Sequence, residues 1–169
     1  MRILLIGYMG SGKSTLGKWI AKHLNYTFVD MDELIEKEQN ATITEIFASK
    51  GEAEFRLIEQ ATLTQLANLH NVVIATGGGT PCFFDNAQRL NELGVTIYLK
   101  LTPLVLVGRL KGAIHTRPIL AGKSEKELLD FITQKLAERE PFYNKAKVIA
   151  DADNLDNEMY ITIIENYKE

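Results

Sequence analysis

A doubly wound α/β domain is the fold class that the sequence predicts: three layers (α/β/α), with helices on both faces of a five-stranded parallel sheet. Two observations carry that expectation. Short runs that are apolar on successive residues alternate with longer segments of helical period. The residues of unusual chemistry then fall just after the apolar runs, where the C-terminal ends of parallel strands would place a ligand. The 169-residue length suits one domain able to bury a core, so residues 1–169 are read as a single unit.

Each element has its own signal. The strand candidates are "RILLIG" (2–7), "YTFVD" (26–30), "NVVIA" (71–75), "VTIYLK" (95–100) and "KVIAD" (147–151). Several lack polar alternation, as strands covered on both faces should. "STLGKWIAKHL" sets Leu16, Trp19, Ile20 and Leu24 at helical spacing, and residues 52–69 place Phe55, Ile58, Thr62, Leu66 and Leu69 on one stripe. Helices are also expected over 83–93, 102–110, 124–139 and 155–167.

Composition removes several function classes. Hydrophobic residues make up 46% and charged residues 24%, with a net charge of −3, so nothing global attracts nucleic acid or an anionic membrane. Any bound anion must be held locally. The single cysteine, Cys82, rules out an internal disulfide and a cysteine-based metal cluster, and its expected role is a small buried or loop residue. No apolar stretch approaches the roughly 20 residues of a membrane helix. The apolar start of "MRILLIGYMG" is shorter than a signal peptide's and runs into glycines. The expectation is a cytoplasmic protein, a monomer, working on small molecules.

After the first strand, Gly7 to Ser14 in "GYMGSGKST" fit G-x-x-x-x-G-K-[ST], the P-loop. Glycines let backbone N–H groups turn inward around a phosphate, and the next helix adds the partial positive charge of its N-terminus. Gly10, Ser11, Gly12, Lys13, Ser14 and Thr15 are the nucleotide-binding candidates; Lys13 would reach the β- and γ-phosphates and the Ser14 hydroxyl would ligate Mg²⁺. An ordinary strand–turn–helix connection is the plain alternative. A dinucleotide site is disfavoured because Thr15 stands where G-x-G-x-x-G needs its third glycine.

"FVDMD" puts Asp30 and Asp32 at the end of the second strand, on one face if the backbone stays extended. One could support Mg²⁺, directly or through water, and the other could accept the proton of an attacking hydroxyl. The competing reading makes Asp32 the cap of a helix through "ELIEKE". Three arginines stand near loops: Arg56 in "GEAEFR", Arg117 in "HTRPIL" and Arg139 in "REPFY". Arg56 lies off the centre of its stripe, as a solvated charge would. Arg117 belongs to 111–123, which reads as a mobile lid, and Arg139 is placed at a helix end that suits its charge. "TGGGTP" (76–81) could be a joint, a turn or a surface where a ligand meets bare backbone.

Together, "GYMGSGKST", "FVDMD", "GEAEFR", "ATGGGTP", "HTRPIL" and "REPFY" occur in the order and at about the spacing of shikimate kinases, which this chain resembles from its first strand to about residue 150. The resemblance implies a P-loop kinase fold of the nucleoside-monophosphate-kinase type. It also implies transfer of the ATP γ-phosphoryl group to the 3-hydroxyl of shikimate, a step of aromatic amino-acid biosynthesis, with Mg²⁺. On the matching motifs, the catalytic residues would be Asp32, Lys13 and Arg117. Asp32, the base, would also hold the shikimate hydroxyls; Asp30 would support Mg²⁺ with Ser14. Arg56 and Arg139 would clamp the carboxylate, and Gly78 and Gly79 would meet the substrate through backbone, so that Gly77 to Gly79 form one wall of the acceptor site. Arg117 would bind phosphates, and Arg109 would stack on adenine. Segment 32–60 would carry the acceptor side.

The chain departs from the resemblance in "ADADNLDN", which is acidic and has no arginine; adenine would there meet backbone or Asn154. A gluconate or nucleoside monophosphate kinase is the nearest alternative, and a nucleotide-dependent switch protein without a small acceptor is the alternative of a different class. Neither accounts for the F-R, triple-glycine and R-P-x-L set together.

Overall fold

The computed structural model describes residues 1–111 and 122–167. Strand β1 (Arg2–Ile6) feeds the glycine-rich loop and α1 (Lys13–Leu24). Strand β2 (Thr27–Asp30) runs straight into α2 (Met31–Gln39), and α3 (Ile43–Leu66) leads to β3 (Val72–Ala75). A 3-10 turn (Thr80–Cys82) and α4 (Asn86–Leu93) precede β4 (Val95–Lys100). The chain then passes through α5 (Pro103–Lys111), α6 (Glu125–Tyr143), β5 (Val148–Asp151) and α7 (Asn157–Glu165).

All pairings are parallel and the five strands lie in the order β2-β3-β1-β4-β5, the expected doubly wound sheet. Successive residues of a strand face opposite layers. Leu4, Ile6, Ile74 and Tyr98 pack toward α3 to α6, while Ile3, Leu5, Val73 and Ile97 pack toward α1 and α7. Both layers are apolar, so the strands read as unbroken apolar runs. The strand order reverses at β1, between β3 and β4, and the crevice beyond its C-terminal end holds the glycine-rich loop. Among the described residues, no helix is long and apolar enough to cross a membrane.

Several elements depart from expectation. Helix α3 starts at Ile43 rather than 52, because Thr42 and Glu45 close a reciprocal capping box; Gly51, at φ 80°, then kinks it. Its buried face includes Arg56, Glu59 and Leu63, whereas Leu69 lies beyond the helix and is exposed. The segment 83–93 is helical only from Asn86. Helix α6 continues through Pro141 to Tyr143, so Arg139 lies inside the helix and the helix-end argument for its charge does not hold. Extended backbone stops at Asp30: Asp30, not Asp32, is the N-cap of α2, accepting from the backbone N–H groups of Asp32 and Glu33.

Candidate active site

The crevice is built on the P-loop. Gly10 and Gly12 hold left-handed backbone (φ 79° and 94°), which side chains resist, and this turns the loop into a cradle ahead of α1. The Lys13 ammonium folds back and donates to the carbonyls of Gly7 (2.8 Å) and Tyr8 (3.0 Å), so the cation waits at the cradle. Beside it, the Arg109 guanidinium donates to the Ser11 carbonyl at 3.2 Å. A cavity of about 260 Å³ opens there, lined by Gly12, Thr15, Trp19, Arg109, Asn157 and Tyr160 among others. Asn157 thus faces the cavity beside the P-loop. Asn154 does not: its amide donates to Asp151 at 2.7 Å and it lines a different cavity.

The Ser14 hydroxyl donates to Asp30 Oδ2 at 2.5 Å, so the two residues expected at a metal stand together at the cradle's edge. A hydroxyl and a carboxylate are the hard oxygen donors that Mg²⁺ prefers. Among the described residues, no group of three or more His, Cys, Asp or Glu could hold a metal. In the first turn of α2, the Asp32 carboxyl is pushed up to about 6, first by desolvation and then by the charges of Asp30 and Glu59, with Lys13 opposing. Neighbouring groups crowd the carboxyl and raise it, yet Asp32 keeps an exposed edge at the cleft, where an incoming hydroxyl could reach it.

The triple glycine meets the functional side chains one by one. A methyl group on Gly77 would stand 2.9 Å from Asp32 Oδ1 and 2.8 Å from Glu59 Oε1. On Gly78 it would stand 3.4 Å from a guanidinium nitrogen of Arg139, and on Gly79 2.6 Å from one of Arg56. Any side chain at Gly79 would displace the arginine.

Arg56 is buried, contrary to a solvated-charge reading, and the surroundings explain how. Glu59 takes one guanidinium nitrogen at 2.6 Å and Glu52 another at 3.0 Å. The Phe83 ring covers the guanidinium face, 4.0 Å from its central carbon. Buried Glu59 also accepts from Thr80 at 2.6 Å, and the carbonyl of Thr80 accepts from buried Asn86 at 2.9 Å. Arg139 lies over the Tyr8 ring at 5.3 Å, which ties α6 to the P-loop.

The structure thus brings together Lys13, Ser14, Asp30, Asp32, Arg56, Gly78, Gly79, Arg109 and Arg139; Arg117, with 112–121, lies outside the described residues. Sequence reasoning did not single out Glu59, Thr80, Phe83 or Tyr143. For Glu59 a signal existed: an acid three residues after Arg56 shares its helix face. Cys82 is half-buried beside the site, and burial pushes its thiol up to about 11, so it stays protonated at neutral pH.

Comparison with known proteins agrees with this geometry. A family model described as shikimate kinase matches residues 9–168. A shikimate kinase of Phocaeicola vulgatus is 47% identical over 160 residues, covering 95% of this chain and 91% of its own length. The crystal structure of shikimate kinase from Bacteroides thetaiotaomicron superposes with a TM-score of 0.91 at 46% identity, covering 98% of this chain and 97% of the other. That of Acinetobacter baumannii, solved in complex with shikimate, gives 0.85 at 30% identity, covering 99% and 95%. With the P-loop, the acidic pair and the arginine-lined glycine wall in one crevice, the chain belongs to the shikimate kinase family.

Proposed function

We propose that the chain transfers the γ-phosphoryl group of ATP to the 3-hydroxyl of shikimate, giving shikimate 3-phosphate and ADP. One observation carries the residue-level reading: Gly77, Gly78 and Gly79 each face a different functional side chain, Asp32, Arg139 and Arg56 in turn. A small ring bearing a carboxylate at one end and hydroxyls at the other fits that wall. The two guanidiniums suit the carboxylate, whose planar geometry matches their forked donors. Asp32 takes the hydroxyl side and accepts the proton as the 3-oxygen attacks. Its raised proton affinity leaves it ionised at pH 7 to 8 yet basic enough for the task.

Lys13 exchanges its two carbonyl partners for phosphate oxygens, and the cradle's N–H groups hold the rest. Ser14 and Asp30 would hold Mg²⁺ with the nucleotide phosphates, and the ion would neutralise charge developing on the transferred group. Arg109 and the cavity beside it receive the adenine, with Asn157 as the nearest side-chain amide of the 151–157 turn. Arg117, in segment 111–123, is assigned to the phosphates. We read residues 1–169 as one catalytic domain that acts as a cytoplasmic monomer on small molecules.

An assay of ADP release with shikimate, gluconate, AMP and CMP offered in parallel tests the reading. Turnover dependent on shikimate alone is expected; turnover dependent on another acceptor and not on shikimate would overturn it.

A further inference from the structure

Tyr143 ends α6 with none of its surface exposed, although it carries a hydroxyl. A buried hydroxyl must find partners. It donates to the carbonyl of Gly78 at 2.5 Å, and the charge of the Arg139 side chain, one helical turn earlier, acts on the same hydroxyl. Burial pushes its proton affinity above the ordinary value, so it remains a donor throughout the neutral range. The ring is fixed from behind by Tyr98, at 5.0 Å between centroids.

The three glycine carbonyls have different fates. Those of Gly77 and Gly79 accept from Thr80 and Cys82 within their own turn, at 3.2 and 2.9 Å. Among the described residues, only the Gly78 carbonyl is held by another element. The Gly78–Gly79 peptide is planar and trans, so its carbonyl and the Gly79 N–H point in opposite directions. Holding one toward α6 aims the other away from it, and the Gly79 N–H has no acceptor among the described residues. Three consecutive glycines would otherwise be the costliest stretch of the site to order.

We propose that Tyr143 is a positioning residue for the acceptor: by gripping the Gly78 carbonyl, it aims the Gly79 N–H into the cleft beside the arginines, without touching substrate. The inference rests on the shikimate reading above. It assigns to the hydroxyl a share of shikimate affinity and none of nucleotide affinity.

The test is Tyr143→Phe, which keeps the ring and removes one oxygen, with Tyr98→Phe as a control in the same aromatic pair. The expected result is a rise of about tenfold in KM for shikimate, from the loss of one buried hydrogen-bond donor. KM for ATP and kcat should stay within about twofold, and Tyr98→Phe should leave KM for shikimate unchanged. An unchanged KM for shikimate in Tyr143→Phe, or equal rises for both substrates with a lowered melting temperature, would reduce Tyr143 to a packing residue. Should that variant not fold, amide exchange in the wild-type protein decides: added shikimate must protect the Gly79 N–H, and no protection overturns the proposal. Wild-type protein without shikimate-dependent turnover would instead overturn the underlying reading.

Discussion

At the scale of single residues, Asp32 holds the most consequential chemistry. Its carboxyl is raised from 3.8 to about 6, so the folded protein binds this proton more tightly than the unfolded chain does. The sign follows: the proton's contribution to stability is complete below pH 3.8 and lost as pH rises through about 6. If Asp32 is the base, as proposed, catalysis needs the opposite form, and kcat/KM for shikimate should fall as pH drops below about 6. Asp32→Asn should lower kcat at least about a hundredfold and leave ATP affinity nearly intact. The variant should also melt slightly higher at pH 8, by at most about 1 kcal/mol because water screens an exposed carboxyl. Loss of ATP affinity as the main defect would assign Asp32 to the metal instead.

Arg56 is the second residue with a sharp expectation. Truncation to alanine strands buried Glu59 and removes the carboxylate fork, so kcat/KM should fall thirtyfold to a few thousandfold, about 2–5 kcal/mol. An unchanged value would return Arg56 to a structural charge. Glu52 acts in the other direction. It is an exposed carboxylate on the same guanidinium, and on the proposed reading a substrate carboxylate would compete with it. Glu52→Gln should lower KM for shikimate about twofold to threefold, in keeping with the small worth of an exposed ion pair; a raised KM would show that Glu52 helps to hold the arginine in place.

At the scale of elements, the loop after β3 decides more than its composition suggests. Its position past a buried strand was legible, since parallel sheets put ligands at that end. Which glycine faces which partner was not, because that depends on α3 and α6 arriving from distant parts of the chain. Gly79→Ala should raise KM for shikimate at least about tenfold, because the methyl would stand 2.6 Å from Arg56, while ATP binding persists. Equal loss of both affinities, or a protein that no longer folds, would mean that the glycine serves the turn rather than the wall. The capping box of Thr42 and the kink at Gly51 show why α3 was misjudged: a local hydrogen-bond pair started the helix early, and one glycine interrupted its stripe. The burial of Arg56 was hidden for a related reason. Helical period sorts apolar from polar residues and cannot announce an arginine paired with Glu59 and covered by Phe83.

At the scale of the whole molecule, the strand order places the P-loop and the glycine loop at the ends of neighbouring strands, β1 and β3. Alternating apolar runs and helical segments made that sheet readable in advance, and the P-loop spacing marked the cradle between β1 and α1. The single tryptophan, Trp19, lines the cavity beside the P-loop and provides a direct reporter. ADP added to a hundred times its Kd should change Trp19 fluorescence and stabilise the fold by about 2.7 kcal/mol, a melting shift of roughly 5–10 °C for a domain of this size. A fluorescence change without any shift would mean that ADP does not bind the folded protein preferentially, and would contradict a nucleotide site beside Trp19. The central claim, that the wall of glycines and arginines presents one hydroxyl of a carboxylated ring to the cradle, is met most directly by the product itself. Phosphorus–proton correlation spectroscopy of the reaction mixture should show phosphorus coupled to the proton on carbon 3 of shikimate; coupling to another carbinol proton, or inorganic phosphate as the main product, would contradict it.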